Sequence, residues 1–456
     1  MFYQKSNRKN IYKHLGLIMV FSILITLIMP CNIYGATNKE PEIASDYYML
    51  MEADTGNILY EKNSDVQCYP ASVTKLMTAL IVVENCNLSD TIVISKNAVN
   101  SVEYGDANAA LKEGEEFTVE QALNVMLIKS ANDMAYALAE HTGGSLANFA
   151  NMMNKKAAEL GCVNTHFSNA SGLTDTNHYT TAHDMALIVS EVTKNPTIMN
   201  ILAYSKSYSV PPTNKTEDTR YYRMSHALLP DRSFTYENFI GGKTGYTDAA
   251  GHTLASIAQK DDLKLVAIVF QSTDEQRYID TISLFEYGFN NFKKISLAEN
   301  EKDFSTEGIS VLGNLGFTGN ALNTKGNLTI SLPSDASLVL PNSLEFHDLT
   351  REINYANGII EITYSYNDYI AGTTILDINT FKSDSLNNTG QNITSNAALP
   401  YVDEISITSA DINRLLYENN YVNINIWLVA GSICILFLVI LFLLRHKFKK
   451  KPGLRF

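Results

Sequence analysis

The sequence predicts an α+β fold, within the broad α/β class, in which a central antiparallel sheet is flanked by helices. Strand patterns open and close the segment 45–295, and helical patterns fill the interval between them. Strands, then helices, then strands again favour a single sheet built from both ends, with the helices packed on it. Beyond residue 296 the pattern changes to short β segments, and a long apolar run follows near the end of the chain. We therefore expect a small C-terminal β domain over residues 296–382 and one C-terminal transmembrane helix.

Hydrophobic periodicity indicates the elements of the first domain. Residues 48–51 and 58–60 flank a turn at Asp54-Thr55-Gly56, which is typical of a β-hairpin. Segments with apolar residues at helical spacing follow at 72–83, 119–141 and 146–160. Later segments have the composition of strands, at 239–246, 253–259 and 263–271.

The C-terminal part contains β segments at 327–332, 337–340 and 359–366, separated by turns. Residues 383–400 are rich in Ser, Asn, Thr and Asp, a composition typical of a linker. We therefore assign residues 383–425 to a linker and juxtamembrane segment.

Both ends of the chain carry membrane-targeting patterns. A basic stretch precedes an apolar run over 15–29 and the small residues Gly35-Ala36, which predicts a signal peptide over residues 1–35. Residues 426–444 are uncharged and long enough to span a bilayer, and the tail over 445–456 is basic. Because basic residues stay on the cytoplasmic side, we expect a single-pass cell-membrane protein whose body lies on the cell-wall side.

The charge distribution excludes a nucleic-acid-binding protein. The formal net charge is −13, but the two ends hold ten of the 35 basic residues and no acid. The remaining 25 basic residues face 48 acidic residues, so the body has a net charge near −23. A body this acidic offers no basic face for nucleic acid.

Of the five cysteines, two lie in the terminal apolar runs. The other three, Cys68, Cys86 and Cys162, have no paired short spacing, which argues against a disulfide framework or a zinc site. Cys68 lies four residues before Ser72. A catalytic thiol is one interpretation of Cys68, but we favour a small packed hydrophobic residue.

The first chemical candidate is the pair Ser72-x-x-Lys75. Residues three apart share a helix face, so the Lys75 amine can reach the Ser72 hydroxyl. A lysine with a lowered pKa can take the proton of a serine and so activate it as a nucleophile. The pattern alone is weak because Ser6-x-x-Lys9 also has it. A serine at the start of a helix is also commonly an N-cap.

Two further motifs carry polar groups suited to a cleft. Ser130-Ala131-Asn132 interrupts a helical pattern and can present a hydroxyl and an amide. A helix C-cap followed by an N-cap is the alternative interpretation. Lys243-Thr244-Gly245 begins a strand, where a cation and a hydroxyl suit a carboxylate. An ordinary lysine at a strand edge is the alternative there.

Together the three motifs are far more specific than any one of them. Their order, with spacings of 58 and 113 residues, matches the signature of β-lactamases and penicillin-binding proteins. The chain resembles the low-molecular-mass penicillin-binding proteins that act as D-alanyl-D-alanine carboxypeptidases (peptidase S11-like). The resemblance covers about residues 45–290, and more loosely extends to about residue 382. It includes the stretches 71–79, 167–173, 178–182 and 184–186.

The resemblance implies a serine β-lactamase/transpeptidase-like fold that acts on peptidoglycan stem peptides, with no metal or organic cofactor. Ser72 would attack the carbonyl of the penultimate D-alanine and form an acyl-enzyme. Lys75 would accept the serine proton, with its pKa depressed by Lys243 nearby. Ser130 would pass a proton to the leaving amine.

The same resemblance assigns substrate binding to Asn132, Lys243, Thr244, Gly245 and Tyr246. Asn132 would hold the substrate amide and the lysine, whereas Lys243 and Thr244 would bind the terminal carboxylate. The backbone N–H groups of Ser72 and Tyr246 would form the oxyanion hole. β-Lactam antibiotics would then be covalent inhibitors of Ser72.

Three alternatives stay open at this point. A β-lactamase shares the motifs, but no Glu-x-x-x-Asn lies in the expected stretch after Asn132. An endopeptidase that cuts peptide cross-links fits the same motifs. A catalytically inactive wall-binding module is disfavoured because all three motifs are intact.

Overall fold

The computed structural model describes residues 40–203, 207–301, 309–311, 326–356 and 359–382. Its helices are α1 (Lys75–Asn85), α2 (Lys96–Asn100), α3 (Val119–Lys129), α4 (Asn132–Gly143), α5 (Leu146–Glu159), α6 (Ala182–Thr193), α7 (Pro196–Leu202), α8 (Gln276–Asn291) and α9 (Leu297–Asn300). The strands up to residue 300 are β1 (Tyr47–Glu52), β2 (Ile58–Lys62), β3 (Thr91–Val93), β4 (Glu116–Thr118), β5 (Ser207–Val210), β6 (Arg220–Arg223), β7 (Phe239–Thr247), β8 (Gly251–Lys260), β9 (Leu263–Ser272) and β10 (Phe292–Ser296). The later strands are β11 (Ile309–Val311), β12 (Gly326–Ser331), β13 (Ser337–Pro341), β14 (Thr350–Ala356), β15 (Ile359–Tyr366), β16 (Tyr369–Ile375) and β17 (Asp377–Lys382).

The central sheet is antiparallel and has the strand order β2–β1–β9–β8–β7. Strand β1 pairs with β9, and Met49 lies opposite Ile268. The hairpin at the start of the domain therefore lies beside strands that come more than 200 residues later. The prediction of one antiparallel sheet built from both ends is confirmed. Strand β7, which carries Lys243-Thr244-Gly245, is an edge strand of this sheet.

Both faces of the sheet are covered, because alternate residues of a strand point to opposite sides. Met49 and Met51 belong to the larger hydrophobic cluster, which contains the buried faces of the helices between β2 and β7. Tyr48 and Leu50 belong to a second cluster, which contains Leu284 of α8. The sheet is thus a central layer between a thick helical layer and α8.

Local sequence explains where the helices near the motifs begin and end. A capping box between Thr118 and Gln121 starts α3. The helical pattern over 119–141 is interrupted at Ser130, which has a left-handed backbone with φ of 62°. The pattern that begins at residue 72 does not start as an α-helix: Ala71–Thr74 form a 3₁₀ turn, and α1 follows it.

The chain divides into two compact units. The first runs to Ile295 and also contains Ser337–Leu349 and Ser365–Gly372. In the second unit, β11, β12 and β17 form an antiparallel sheet. Smaller sheets have the orders β3–β4, β5–β6, β10–β13 and β14–β15–β16. The domain boundaries given above remain predictions.

Several predicted segments lie outside the described residues. They are the signal peptide over 1–35, the linker over 383–425, the transmembrane helix over 426–444 and the basic tail over 445–456. Within the ranges that are described, no helix is both long enough and apolar enough to cross a bilayer.

Candidate active site

Ser72 lies in the 3₁₀ turn that precedes α1. The N-cap residue of this turn is Pro70 and that of α1 is Thr74, so the N-cap interpretation of Ser72 is wrong. The Ser72 hydroxyl oxygen instead lies 3.0 Å from Lys75 Nζ. Ala71, the residue before Ser72, has a φ of 50°, which is uncommon for a residue with a side chain. Ser72 therefore lies on a turn whose backbone conformation is held by its surroundings.

Lys75 is fully buried and has three oxygen neighbours. Its Nζ atom lies 3.0 Å from Ser72 Oγ, 2.7 Å from Asn132 Oδ1 and 2.6 Å from the Ser171 carbonyl oxygen. Burial lowers the pKa of Lys75 well below its usual value, and the charge of Lys243 lowers this pKa further. Burial is thus the larger cause of the lowered pKa, and Lys243, which the resemblance implied, adds to it.

A neutral Lys75 has two N–H groups and one lone pair. The Asn132 side-chain oxygen and the Ser171 carbonyl can only accept hydrogen bonds, so they take the two N–H groups. The lone pair is then left for the Ser72 hydroxyl, which donates to it. This arrangement is that of a serine nucleophile beside its general base.

Ser130 connects the helical wall of the site to the strand β7. Lys243 Nζ donates to Ser130 Oγ at 3.0 Å and to the Thr244 carbonyl at 2.8 Å. Burial, with a smaller contribution from the charge of Arg277, lowers the pKa of Lys243 to about 7. Ser130 does end α3 in a left-handed conformation, as a C-cap would, but its hydroxyl is directed to Lys243. Lys243 is buried, so the interpretation of an ordinary strand-edge lysine is wrong.

Strand β7 passes very close to Ser72 at Gly245. A Cβ atom on residue 245 would lie 2.9 Å from Ser72 N and 2.3 Å from Thr253 Oγ1, which is too close for any side chain. Thr253 Oγ1 donates to the Pro70 carbonyl at 3.0 Å, which ties the sheet to the nucleophile turn. Glycine at 245 therefore permits the contact between the strand and Ser72.

The predicted residues meet at one cleft of about 990 Å³. Those that line it are Ser72, Ser130, Asn132, Thr244, Gly245 and Tyr246. Lys75 and Lys243 lie beneath its surface, where each contacts a serine that does line it. All eight predicted site residues are therefore brought together. The part of the backbone predicted to form an oxyanion hole lies here, and that role remains a prediction.

Comparison with known proteins identifies the family. The family model of D-alanyl-D-alanine carboxypeptidases, peptidase S11, matches residues 35–274, which is more than half of the chain. The chain belongs to this family.

Relatives within the family cover the same part of the chain. The D-alanyl-D-alanine carboxypeptidase DacF of Bacillus subtilis is 34% identical over 251 residues, which are 54% of this chain and 62% of the relative. The chain thus spans less than two thirds of the length of DacF. DacA of Haemophilus influenzae, another D-alanyl-D-alanine carboxypeptidase, is 31% identical over 281 residues, which are 60% of this chain and 68% of the relative.

A solved structure of the family agrees with the fold. The Streptomyces K15 DD-transpeptidase is 31% identical, with a TM-score of 0.51, and the match covers 55% of this chain and 99% of that one. The mixed α/β fold of the penicillin-binding and transpeptidase type is therefore confirmed for the part of this chain that matches the family.

Sequence reasoning missed Arg277, which lines the cleft and comes from α8. Its guanidinium donates to the carbonyl oxygens of Gly245 and Thr253 at 3.2 and 3.4 Å and pairs with Asp274. Arg277 thus stabilises the strand that faces Ser72. It also adds a cation that stays protonated at any ordinary pH. No motif surrounds Arg277, so only the packing of α8 on the sheet reveals it.

Cys68 is not part of this chemistry. Its side chain is buried, and burial raises the pKa of its thiol to about 11. A thiol with a raised pKa is a poor nucleophile. The interpretation of Cys68 as a small packed residue is confirmed.

Proposed function

We propose that the protein is a serine-type D-Ala-D-Ala carboxypeptidase that removes the terminal D-alanine from peptidoglycan stem pentapeptides through an acyl-enzyme on Ser72. The observation that carries the proposal is the position of Lys75, which is buried, touches Ser72 Oγ and has two fixed acceptors for its remaining hydrogens. Membership of the S11 family supports it.

Acylation would begin when Ser72 transfers its proton to Lys75 and its oxygen attacks the penultimate D-alanine carbonyl. Backbone N–H groups of Ser72 and Tyr246 would stabilise the negative charge on the carbonyl oxygen. As the C–N bond breaks, Ser130 would give its hydroxyl proton to the leaving amine. Lys243, which lies 3.0 Å from Ser130 Oγ, would restore that proton. The proton that Lys75 took from Ser72 would then pass through water to Lys243, so that Lys75 is neutral again before deacylation.

Deacylation would use the same serine and lysine, with water as the nucleophile and Ser72 as the leaving group. A water molecule attacks the ester carbonyl while its proton passes to Lys75. The ester C–O bond then breaks, and Ser72 Oγ takes the proton back from Lys75. This sequence returns the enzyme to its starting state and needs no cofactor.

The substrate carboxylate would be bound on the strand side of the cleft. Thr244 lines the cleft there, Lys243 lies beneath it, and Arg277 adds a permanent positive charge. A cation beside a carboxylate gives a charge-assisted hydrogen bond, which is stronger than a neutral one. A free carboxyl terminus next to the scissile bond is the feature that separates a carboxypeptidase substrate from a cross-link.

The test is covalent labelling of the full chain with a fluorescent penicillin, followed by mass spectrometry of the products from a pentapeptide stem. We expect labelling of the parent, release of one D-alanine, and loss of both activities in a folded Ser72→Ala variant. Labelling that persists in a folded Ser72→Ala variant would show that another residue is acylated. No labelling of the parent would favour an inactive wall-binding module.

The same assay separates the related activities. An endopeptidase would release peptides from cross-linked dimers faster than D-alanine from the pentapeptide. A transpeptidase, the activity named for the Streptomyces K15 relative, would give a new amide product when an amine acceptor is added. A β-lactamase would hydrolyse penicillin with rapid turnover, so that little labelled protein accumulates.

We also propose that residues 426–444 anchor the protein in the cell membrane, with the catalytic body on the cell-wall side. The uncharged run followed by a basic tail supports this orientation. Truncation after Tyr421 should release an exported, penicillin-labelled protein into the medium, as measured by fractionation. A truncated protein that still sediments with membranes at high salt would place the anchor elsewhere.

A further inference from the structure

The Ser171 carbonyl decides where one of the Lys75 hydrogens points, so the loop that carries it bears on catalysis. We call residues 167–173 the acceptor loop. Within it, the Asn169 side-chain oxygen accepts hydrogen bonds from the backbone N–H groups of Ser171 and Gly172, at 3.1 and 2.8 Å. These bonds set the internal shape of the loop. They do not set its position relative to Ser72.

Contacts with the nucleophile turn and α1 set that position. Thr78 Oγ1 donates to the Ala170 carbonyl at 2.7 Å. Gly172 lies so close to the turn that a Cβ atom there would be 1.8 Å from the Ala71 carbonyl oxygen. Asn154 also bonds to the backbone of Phe167 in this loop, at 2.7 and 2.9 Å. A further link, to the nucleophile turn, goes through His178, which follows the acceptor loop in the chain and has 1% of its surface exposed.

His178 joins the acceptor loop to the nucleophile turn through its two ring nitrogens. Nδ1 lies 3.1 Å from the backbone nitrogen of Ser168, and Nε2 lies 2.9 Å from Thr74 Oγ1. The Ser168 N–H group can only donate, so Nδ1 must be the acceptor. A neutral ring then carries its hydrogen on Nε2 and donates it to Thr74. The two contacts therefore specify both the charge and the tautomer of His178.

We propose that His178 is a positioning residue for acylation, which holds the acceptor loop against the nucleophile turn so that the Lys75 lone pair faces Ser72 Oγ. The inference rests on the proposed acyl-enzyme chemistry. His178 touches neither the cleft lining nor Lys75 directly, and it acts through Thr74 on one side and through Ser168 and the Ser171 carbonyl on the other.

The charge state required for this role is stable at working pH. Burial lowers the pKa of His178 to about 4. Asp175 raises this pKa, whereas His166 and Lys75 lower it further. The ring therefore stays neutral, and the Ser168 N–H group keeps its acceptor.

Two variants of the full chain each remove one part of the link. His178→Asn retains an acceptor near the Nδ1 position and loses the donor to Thr74. Thr74→Val has nearly the same shape as threonine and removes the hydroxyl that receives this hydrogen bond. Thr74→Ser retains the hydroxyl. His166→Gln is the matched control, because His166 bonds to the Asn177 carbonyl and does not contact the nucleophile turn.

The measurement is stopped-flow acylation by a fluorescent penicillin, which separates the acylation rate constant from the dissociation constant of the preceding complex. We expect His178→Asn and Thr74→Val each to slow acylation by about tenfold to hundredfold, with little change in that dissociation constant. The double variant should be no slower than the slower single variant, since the two substitutions break the same link between His178 and Thr74. Thr74→Ser and His166→Gln should acylate at nearly the parent rate.

Labelling stoichiometry gives the fraction of folded enzyme, so a variant that folds poorly still yields a rate per active molecule. Parent-like acylation rates in both His178→Asn and Thr74→Val would overturn the inference. Additive effects of the two substitutions would overturn it too, as would equal losses of affinity and rate. A parent chain that is not acylated at all would instead contradict the proposed function.

Discussion

The two walls of the cleft differ in how their polar groups are held. On the helical wall, Lys75 is fully buried and each of its three neighbours lies within hydrogen-bond distance. On the strand wall, Tyr246 is 55% exposed and its hydroxyl bonds to Asp248, another residue of the cleft. The wall proposed to transfer protons is therefore buried and hydrogen-bonded, whereas the wall proposed to meet the substrate is partly exposed.

The two walls also differ in the charge that their proposed roles require. The proton transfer proposed for the helical wall needs a neutral amine, and burial lowers the pKa of Lys75 in that direction. Carboxylate binding on the strand wall needs positive charge, which Arg277 supplies at any ordinary pH. Lys243 stands between the two walls, contacts Ser130, and has a pKa lowered to about 7. Its charge therefore changes as the pH passes through neutrality.

The largest effect expected on the strand wall comes from Gly245→Ala. The added methyl group would lie 2.9 Å from Ser72 N and 2.3 Å from Thr253 Oγ1, so the strand must move away from the nucleophile. If this contact holds the oxyanion hole together, acylation should slow by about 10²–10³-fold. Stopped-flow acylation measures the loss, and circular dichroism checks the fold. A folded variant within about threefold of the parent rate would mean that the strand is not needed at this distance.

Lys243→Gln should have a smaller effect and one that depends on the substrate. Gln removes the charge but keeps a hydrogen-bond donor, so kcat/KM on a free D-Ala-D-Ala terminus should fall by about tenfold to hundredfold. A matched substrate with an amidated terminus should be poor for the parent and should lose less in the variant. Effects common to both substrates, such as a changed Lys75, cancel in this comparison. Equal losses would show that Lys243 does not bind the carboxylate, which would favour the endopeptidase.

The pH dependence of the same reaction tests the titration of Lys243. Its pKa is lowered, so the cation is present below about pH 7 and is lost as the pH rises through that value. We therefore expect the apparent affinity for the free carboxylate to weaken above about pH 7 in the parent. This decrease, the alkaline limb of the pH profile, should be absent in Lys243→Gln. A bound carboxylate stabilises the cation and moves the limb upward in the complex. An identical alkaline limb in the variant would assign the titration to another group.

How far the sequence could predict this site depends on the kind of residue. Ser72, Lys75, Ser130, Asn132 and Lys243 belong to short motifs in a recognisable order, so their meeting at one cleft was predictable. Ser171 lay within a stretch that resembled the family, but its role rests on a backbone carbonyl, which any residue type provides. Arg277 depends on how α8 packs on the sheet. Periodicity predicts that a helix exists there, but it does not predict which of its polar residues reaches a cleft.

The same limit applies to the fold. A hairpin pattern predicted β1 and strand-forming composition predicted β9. Strands at both ends of the domain suggested one sheet, but the pairing register follows from packing on both faces. The 3₁₀ turn at Ala71–Thr74 was not predicted, because a helical period does not distinguish it from the first turn of α1. That turn carries the proposed nucleophile Ser72 and the positive φ of Ala71, so an unusual backbone and the candidate site coincide there.

The smallest effect is expected for Tyr246→Phe, at the neighbour of Gly245 on the same strand. The substitution keeps the backbone N–H group predicted for the oxyanion hole and keeps a ring, which packs 4.5 Å from that of His252. It removes the hydroxyl that bonds to Asp248 at 2.9 Å, and an exposed polar pair of this kind has little energetic value. We therefore expect kcat/KM on the pentapeptide to change by less than about fivefold. The ratio between two stem peptides with different third residues should shift more than either value if this side chain tunes specificity. A loss as large as that of Gly245→Ala would show that the Tyr246 side chain takes part in the chemistry. The contrast between a buried helical wall and a partly exposed strand wall would then not hold for Tyr246.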